Sequence, residues 1–132
     1  MTVIVDHLGT VPAAQGVTDP NFQALLKLVG DGDTYVKLSA VYRLSTHYPD
    51  YPDAQLLHEA LVRANPERLM WGTDWPHPSI PAEVMLDDGH LLDLFHDWTL
   101  DSRRDGASWS IRRTGCLGDN AAAHFQWGGA TR

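Results

Sequence analysis

Polar side chains capable of chemistry follow each of three predicted β-strands. His7, Ser39 and Asp74 each come just after one strand, and Arg43 and His77 follow a few residues later. Imidazole, guanidinium and carboxylate groups move protons or bind anions in many active sites. Because sites in parallel α/β folds form at the carboxyl ends of the strands, these side chains are expected to converge on one side of a sheet.

Each of these residues also has a purely structural interpretation. His7 and its neighbour Asp6 could cap backbone groups at a strand end, and Arg43 could be a solvated loop residue. Asp74, after a glycine and a threonine, could bond its own backbone in a turn. His58, His90 and His96 are predicted on helices and facing solvent, whereas His47 stays undecided and Cys116 is expected to be a buried or partly buried thiol.

The elements that must position these residues alternate between two apolar periods. Short runs at 2–5, 34–39 and 68–71 predict strands. Between them, apolar residues recur at helical spacing, as they do again after the third run. Asp19 with Pro20 predicts one helix start, Asp53 is expected to cap the second helix, and the third face carries Leu91, Leu94, Phe95 and Trp98. The pattern β-α-β-α-β-α fits either a piece of a (β/α)8 barrel or a small doubly wound sheet.

Composition restricts the class of protein further. The chain has 132 residues, 43% of them hydrophobic, and a net charge of −7, which suits one packed domain and disfavours nucleic acid or an anionic membrane as partner. One cysteine excludes an intrachain disulfide, and the location is expected to be cytoplasmic. The phosphate-loop, dinucleotide and nucleophile-elbow motifs (G-x-x-x-x-G-K-[ST], G-x-G-x-x-G and G-x-S-x-G) do not occur in the sequence.

Three sequence blocks carry a resemblance to a known family. V-D-H-L-G at 5–9, V-K-L-S-A with Tyr42-Arg43, and M-W-G-T-D-W-P-H at 70–77 resemble the lactonase branch of the amidohydrolase-related family in order and spacing. The resemblance implies the C-terminal portion of a (β/α)8 TIM barrel, about three βα units corresponding to strands six to eight. It treats 1–132 as a single partial domain, with 1–100 well matched and 101–132 divergent, most of all at 106–118.

The same resemblance implies roles for individual residues. Asp74 matches the general base that activates water, His7 a histidine that binds or polarises the substrate carbonyl, and Arg43 an arginine that grips a substrate carboxylate. Tyr42, Ser39 and His77 are implied on the substrate side of the site. A divalent metal such as zinc is expected at most on His7 and Asp74.

Other features of the family have no counterpart in this sequence. The His-x-His pair of its first strand is absent, so little or no turnover is expected of the chain alone, and the partner is expected to be an N-terminal half-barrel or a second copy. Four apolar side chains of the strands are expected to face an open cleft and to favour pairing with another chain. They are Val3, Val5, Val36 and Met70. Two alternatives stay open, a decarboxylase-type member of the superfamily and a non-catalytic α/β assembly module.

Overall fold

The computed structural model describes residues 1–81 and 83–102. Three parallel strands, β1 (Val3–Val5), β2 (Thr34–Leu38) and β3 (Leu69–Trp71), form one sheet in the order β1-β2-β3. The predicted parallel order is therefore confirmed. The short helix predicted at 120–125 and the Cys116 thiol lie outside the described residues.

Within residues 1–81 and 83–102, four α-helices connect or follow the strands. They are α1 (Pro20–Asp31), α2 (Val41–Leu44), α3 (Pro52–Ala64) and α4 (Asp88–Asp101), with 3₁₀ turns at His7–Thr10, Ala13–Gln15 and Pro66–Arg68. None of the helices in the described part of the chain is long and apolar enough to cross a membrane.

The ends of α1 follow the local sequence. Asp19 caps it by accepting hydrogen bonds from the backbone N–H groups of Asn21 and Phe22, and Pro20 occupies its first turn. Gly32 ends it in a left-handed conformation, as glycine does after many helices.

The start of α3 differs from the prediction. Tyr51, not Asp53, is the residue before the helix, and it makes no side-chain cap. Asp53 lies in the first turn, where its carboxylate accepts hydrogen bonds from the Ser45 hydroxyl and the Ala54 backbone. The acidic side chain still lies at the positive end of the helix, but a tertiary contact with the preceding loop determines its position.

The core lies between the sheet and the helices. Phe22, Val36, Leu57, Leu61 and Leu69 are fully buried there. The strand register puts alternate residues on opposite faces, with Val36 and Leu69 toward the helices.

Two of the side chains expected in an open cleft are buried instead. Val36 packs in the core because the strand alternation turns it toward the helices, and Met70, on the opposite face, is 2% exposed. Val3, at the start of β1, is exposed, and Val5 is partly buried against the core. The sheet therefore exposes less apolar side-chain surface than the predicted open cleft would.

His58 also departs from the prediction. It was expected to face solvent, but it is 2% exposed between α3 and α4. Its ring packs edge-on against Phe95 and Trp98, and its Nε2 lies 2.9 Å from the Thr99 hydroxyl. Burial lowers the pKa of His58 from the ordinary value of 6.5 to about 3, so it is a neutral core histidine. His96 is exposed as predicted, and His90 is partly exposed and paired with Asp50.

Candidate active site at the carboxyl ends of the strands

Each strand is followed by a residue with left-handed backbone. His7 after β1 has φ of 52°, Ala40 after β2 has 54°, and Asp74 after β3 has 59°. This conformation is costly for residues with a Cβ, on the order of 1–3 kcal/mol each, and such residues cluster at functional sites. The sharp change of direction brings the side chains that follow the strands together at the carboxyl-terminal end of the sheet.

Asp74 is the centre of this cluster. Its Oδ2 accepts a hydrogen bond from the Tyr42 hydroxyl at 2.5 Å and lies 3.1 Å from the Arg43 guanidinium. Its Oδ1 lies 3.7 Å from Nε2 of His7. The carboxylate is 18% exposed, so it is largely withdrawn from water while one oxygen faces the imidazole.

The His7 ring is oriented by Ser39, which follows the neighbouring strand β2. Its Nδ1 lies at hydrogen-bonding distance, 2.8 Å, from the Ser39 hydroxyl. If Ser39 donates to Nδ1, the proton of the neutral ring is on Nε2, the atom that faces Asp74. With that tautomer, the site has an N–H donor beside a carboxylate acceptor.

Tyr42 stays protonated over the whole physiological range. Burial, followed by the hydrogen bond to Asp74, raises its pKa to about 12 despite the opposing effect of Arg43. The phenol is therefore a hydrogen-bond donor to Asp74 and not a base.

Arg43 lies in the site as a partner of Asp74. Its guanidinium contacts Asp74, and its side chain is 29% exposed. A guanidinium has five N–H donors, so contact with Asp74 leaves donors able to reach an anion. The structure brings Arg43 into the site but shows it bound to the carboxylate of the chain itself.

The His77 side chain makes its contacts with Asp88 and Tyr42. Its side chain is 9% exposed, its Nε2 lies 2.9 Å from Asp88 Oδ1, and its ring edge meets the Tyr42 ring. Sequence reasoning missed Asp88, which the apolar pattern of the third helix did not single out. An acidic residue in the first turn of a helix is so common that the sequence offers no separate signal for this contact.

The residues suggested for a metal do not form a complete ligand set. Within the described ranges, no group of three or more His, Cys, Asp or Glu side chains is close enough to hold an ion. Asp74 Oδ2 already binds Tyr42 and Arg43, and the positive guanidinium opposes a cation there. His7 and Asp74 alone thus do not fit a zinc site.

The fold and the comparisons together identify the chain as a portion of a (β/α)8 barrel. The amidohydrolase family model matches residues 1–126, so the chain belongs to the amidohydrolase family, many members of which bind a metal. The chain is 38% identical over 96 residues to the 4-sulfomuconolactone hydrolase of Hydrogenophaga intermedia, covering 72% of this chain and 32% of that protein. It is 36% identical over 102 residues to the 2-pyrone-4,6-dicarboxylate hydrolase of Comamonas testosteroni, covering 70% of this chain and 33% of that protein.

A solved structure agrees with this assignment. A Pseudomonas putida protein assigned as a 2-pyrone-4,6-dicarboxylic acid hydrolase superposes with a TM-score of 0.71 at 30% identity, over 98% of this chain and 45% of that one. The chain spans about a third of the length of the two curated relatives described above. The predicted family and the predicted barrel portion are both confirmed.

Proposed function

We propose that this chain supplies part of the active site of a hydrolase that opens an anionic lactone. The observation that carries the proposal is the Asp74 carboxylate, fixed by Tyr42 and Arg43 through one oxygen and turned toward His7 with the other. The two curated relatives described above, named for the hydrolysis of a sulfonated lactone and of a dicarboxylated pyrone, support the substrate class.

The proposed reaction uses this chain's residues in the following way. Asp74 Oδ1 accepts a proton from water, whose oxygen attacks the lactone carbonyl carbon. His7 Nε2 donates a hydrogen bond to the carbonyl oxygen as negative charge develops there. The ring C–O bond then breaks, and the proton on Asp74 passes to the leaving oxygen. Arg43 binds an anionic group of the substrate through the donors that Asp74 does not use.

A chimera tests this proposal directly. Residues 1–102 of this chain would replace the matched segment of the Hydrogenophaga 4-sulfomuconolactone hydrolase. We expect the chimera to hydrolyse an anionic lactone, and we expect Asp74→Asn to reduce kcat by about 10²–10⁴-fold, the usual contribution of a positioned general base. Asp93→Asn, an exposed change of the same charge on α4, is the matched control. A folded chimera in which Asp74→Asn hydrolyses as fast as the parent would contradict the role of Asp74.

We further propose that additional strands complete the sheet, either those of an N-terminal half-barrel or those of a second copy. Within the described residues the sheet has β1 and β3 at its edges, and Val3 on β1 is exposed. Unpaired strand edges favour pairing with another chain. Light scattering of the 132-residue chain at moderate salt should show a dimer or larger species, and a monomer with a cooperative thermal transition would contradict this. A cytoplasmic location is part of the same proposal.

A further inference from the structure

His77 lies beside the site, and its imidazole contacts Tyr42 and Asp88. It belongs to the tight turn after β3, in which its backbone N–H donates to the carbonyl of Asp74 at 2.7 Å. Its left-handed backbone, with φ of 58°, turns the imidazole back into the protein, where the side chain is 9% exposed. The imidazole is therefore placed to contact protein groups beside the site.

Two contacts define what His77 does. On one side its Nε2 lies 2.9 Å from Asp88 Oδ1, in the first turn of α4. On the other side its ring meets Tyr42 edge-on, with 5.6 Å between the ring centres and an angle of 88° between the planes. Aromatic rings favour this arrangement, which restricts rotation of both rings.

Tyr42 connects these contacts to the carboxylate of the site. Its hydroxyl donates to Asp74 Oδ2 at 2.5 Å, and its ring is the surface against which His77 packs. The contacts therefore run without a gap from Asp88 through His77 and Tyr42 to Asp74. Each one orients the next, because a carboxylate fixes the imidazole and the imidazole edge fixes the phenol.

We infer that Asp88 is a positioning residue of this site, acting on Asp74 through His77 and Tyr42. The inference rests on the proposed function only in taking Asp74 as the general base. The alternative role of Asp88 is local, since an acidic residue in the first turn of a helix stabilises that helix. A positioning role predicts that a change of Asp88 alters the ionisation of Tyr42, whereas a purely local role predicts no such effect. A spectroscopic test on the 132-residue chain separates the two roles without any turnover.

The first measurement uses the unaltered chain. Nitrogen NMR of the imidazole should show a proton on Nε2 of His77 at neutral pH, since Asp88 offers only acceptor oxygens when ionised. A neutral His77 with its proton on Nδ1 would leave no hydrogen bond to Asp88 and would overturn the inference.

The second measurement follows the ionisation of Tyr42 in tyrosine labelled with ¹³C at Cζ. In Asp88→Ala we expect the midpoint of Tyr42 to fall by about 1 pH unit from its raised value, because the ring is freed to solvent. Asp88→Asn, which keeps an acceptor oxygen for His77, should retain most of the raised midpoint. Asp93→Ala, which removes an exposed carboxylate from the same helix, should leave it unchanged.

Controls separate positioning from helix stability. Far-ultraviolet circular dichroism at each pH identifies the range in which each variant stays folded. A purely local role predicts a lower melting temperature for Asp88→Ala with an unaltered Tyr42 midpoint, and this result would overturn the inference.

In the chimera, kcat should fall about 10–100-fold in Asp88→Ala with little change in KM. A chimera that lacks activity even with Asp88 would count against the proposed function and leave the spectroscopic result standing.

Discussion

Ser39 Oγ lies 2.8 Å from Nδ1 of His7, so a hydroxyl at the end of one strand orients an imidazole at the end of its neighbour. The opposite nitrogen of that imidazole, Nε2, is the one that faces Asp74. The orientation of His7 therefore depends on parallel pairing between β1 and β2, which brings these two strand ends side by side.

Ser39→Ala tests this dependence. A neutral hydrogen bond contributes about 0.5–1.5 kcal/mol, so we expect an anionic lactone to bind the chimera roughly 2- to 10-fold more weakly. Calorimetric titration in the Asp74→Asn background, where turnover is slow, measures the affinity, and Ser79→Ala, an exposed loop change, is the control. Equal affinities for Ser39→Ala and the parent would show that Ser39 does not control the orientation of His7.

Arg43 makes a second test, because its guanidinium contacts Asp74 and can still offer donors to a substrate anion. Arg43→Lys keeps the charge but removes the planar pair of donors, so we expect KM of the chimera for an anionic lactone to rise about tenfold or more. Arg63→Lys on α3 is the matched control outside the site. If Arg43→Lys and Arg63→Lys give the same KM, Arg43 does not bind the anion through its fork.

His58 gives the fold a specific sensitivity to acid. The buried ring stays neutral to about pH 3, whereas the unfolded chain takes up a proton below about pH 6.5, so the unfolded state binds more protons in that window. The free energy of unfolding should therefore be unaffected by His58 above pH 6.5 and fall by about 1.4 kcal/mol for each pH unit below it, until the ring titrates. Urea unfolding between pH 7 and pH 4 measures the slope.

The matched variants isolate this effect of His58. His58→Gln removes the titrating group and keeps an amide able to bond Thr99, so the slope should flatten by the contribution of one proton. His96→Gln changes an exposed histidine and should leave the slope as it is. An unaltered slope in His58→Gln would mean that other groups account for the loss of stability in acid.

Gly9 is required by the turn that follows His7. Its φ is +74°, and a Cβ there would lie 2.7 Å from Cδ2 of Leu25 on α1. Gly9→Ala should lower the free energy of unfolding by about 2–3 kcal/mol, from the left-handed backbone and the contact together.

Two other glycines serve as controls for Gly9. Gly32 ends α1 in the same left-handed region, and a Cβ there would lie no closer than 3.9 Å to the Arg68 side chain, so Gly32→Ala should show the cost of the backbone alone. Gly30 lies within α1 with open space, and Gly30→Ala should stabilise the chain by about 0.5–1 kcal/mol. Denaturant titrations that rank Gly9→Ala no worse than Gly32→Ala would show that Leu25 moves aside without cost.

Local chemistry determined much of the architecture. The apolar period of 2 predicts three strands and the period of 3.6 predicts helices between them, because burial of one face is the dominant local requirement. The caps at Asp19 and Gly32 depend on neighbouring backbone groups, so they too can be predicted from the sequence. The carboxyl ends of parallel strands then bring His7, Arg43 and Asp74 to one edge without knowledge of any side-chain contact.

Tertiary structure alone determined the partners of those side chains. His58 has the sequence surroundings of an exposed helical residue, and only the approach of α4 to α3 buries it against Phe95 and Trp98. Arg43 contacts Asp74, and His77 turns to Asp88, because backbone torsions after β3 direct side chains that are far apart in sequence. A pattern of residue types specifies which face of an element is buried, but the angle and approach of a second element determine which groups touch there.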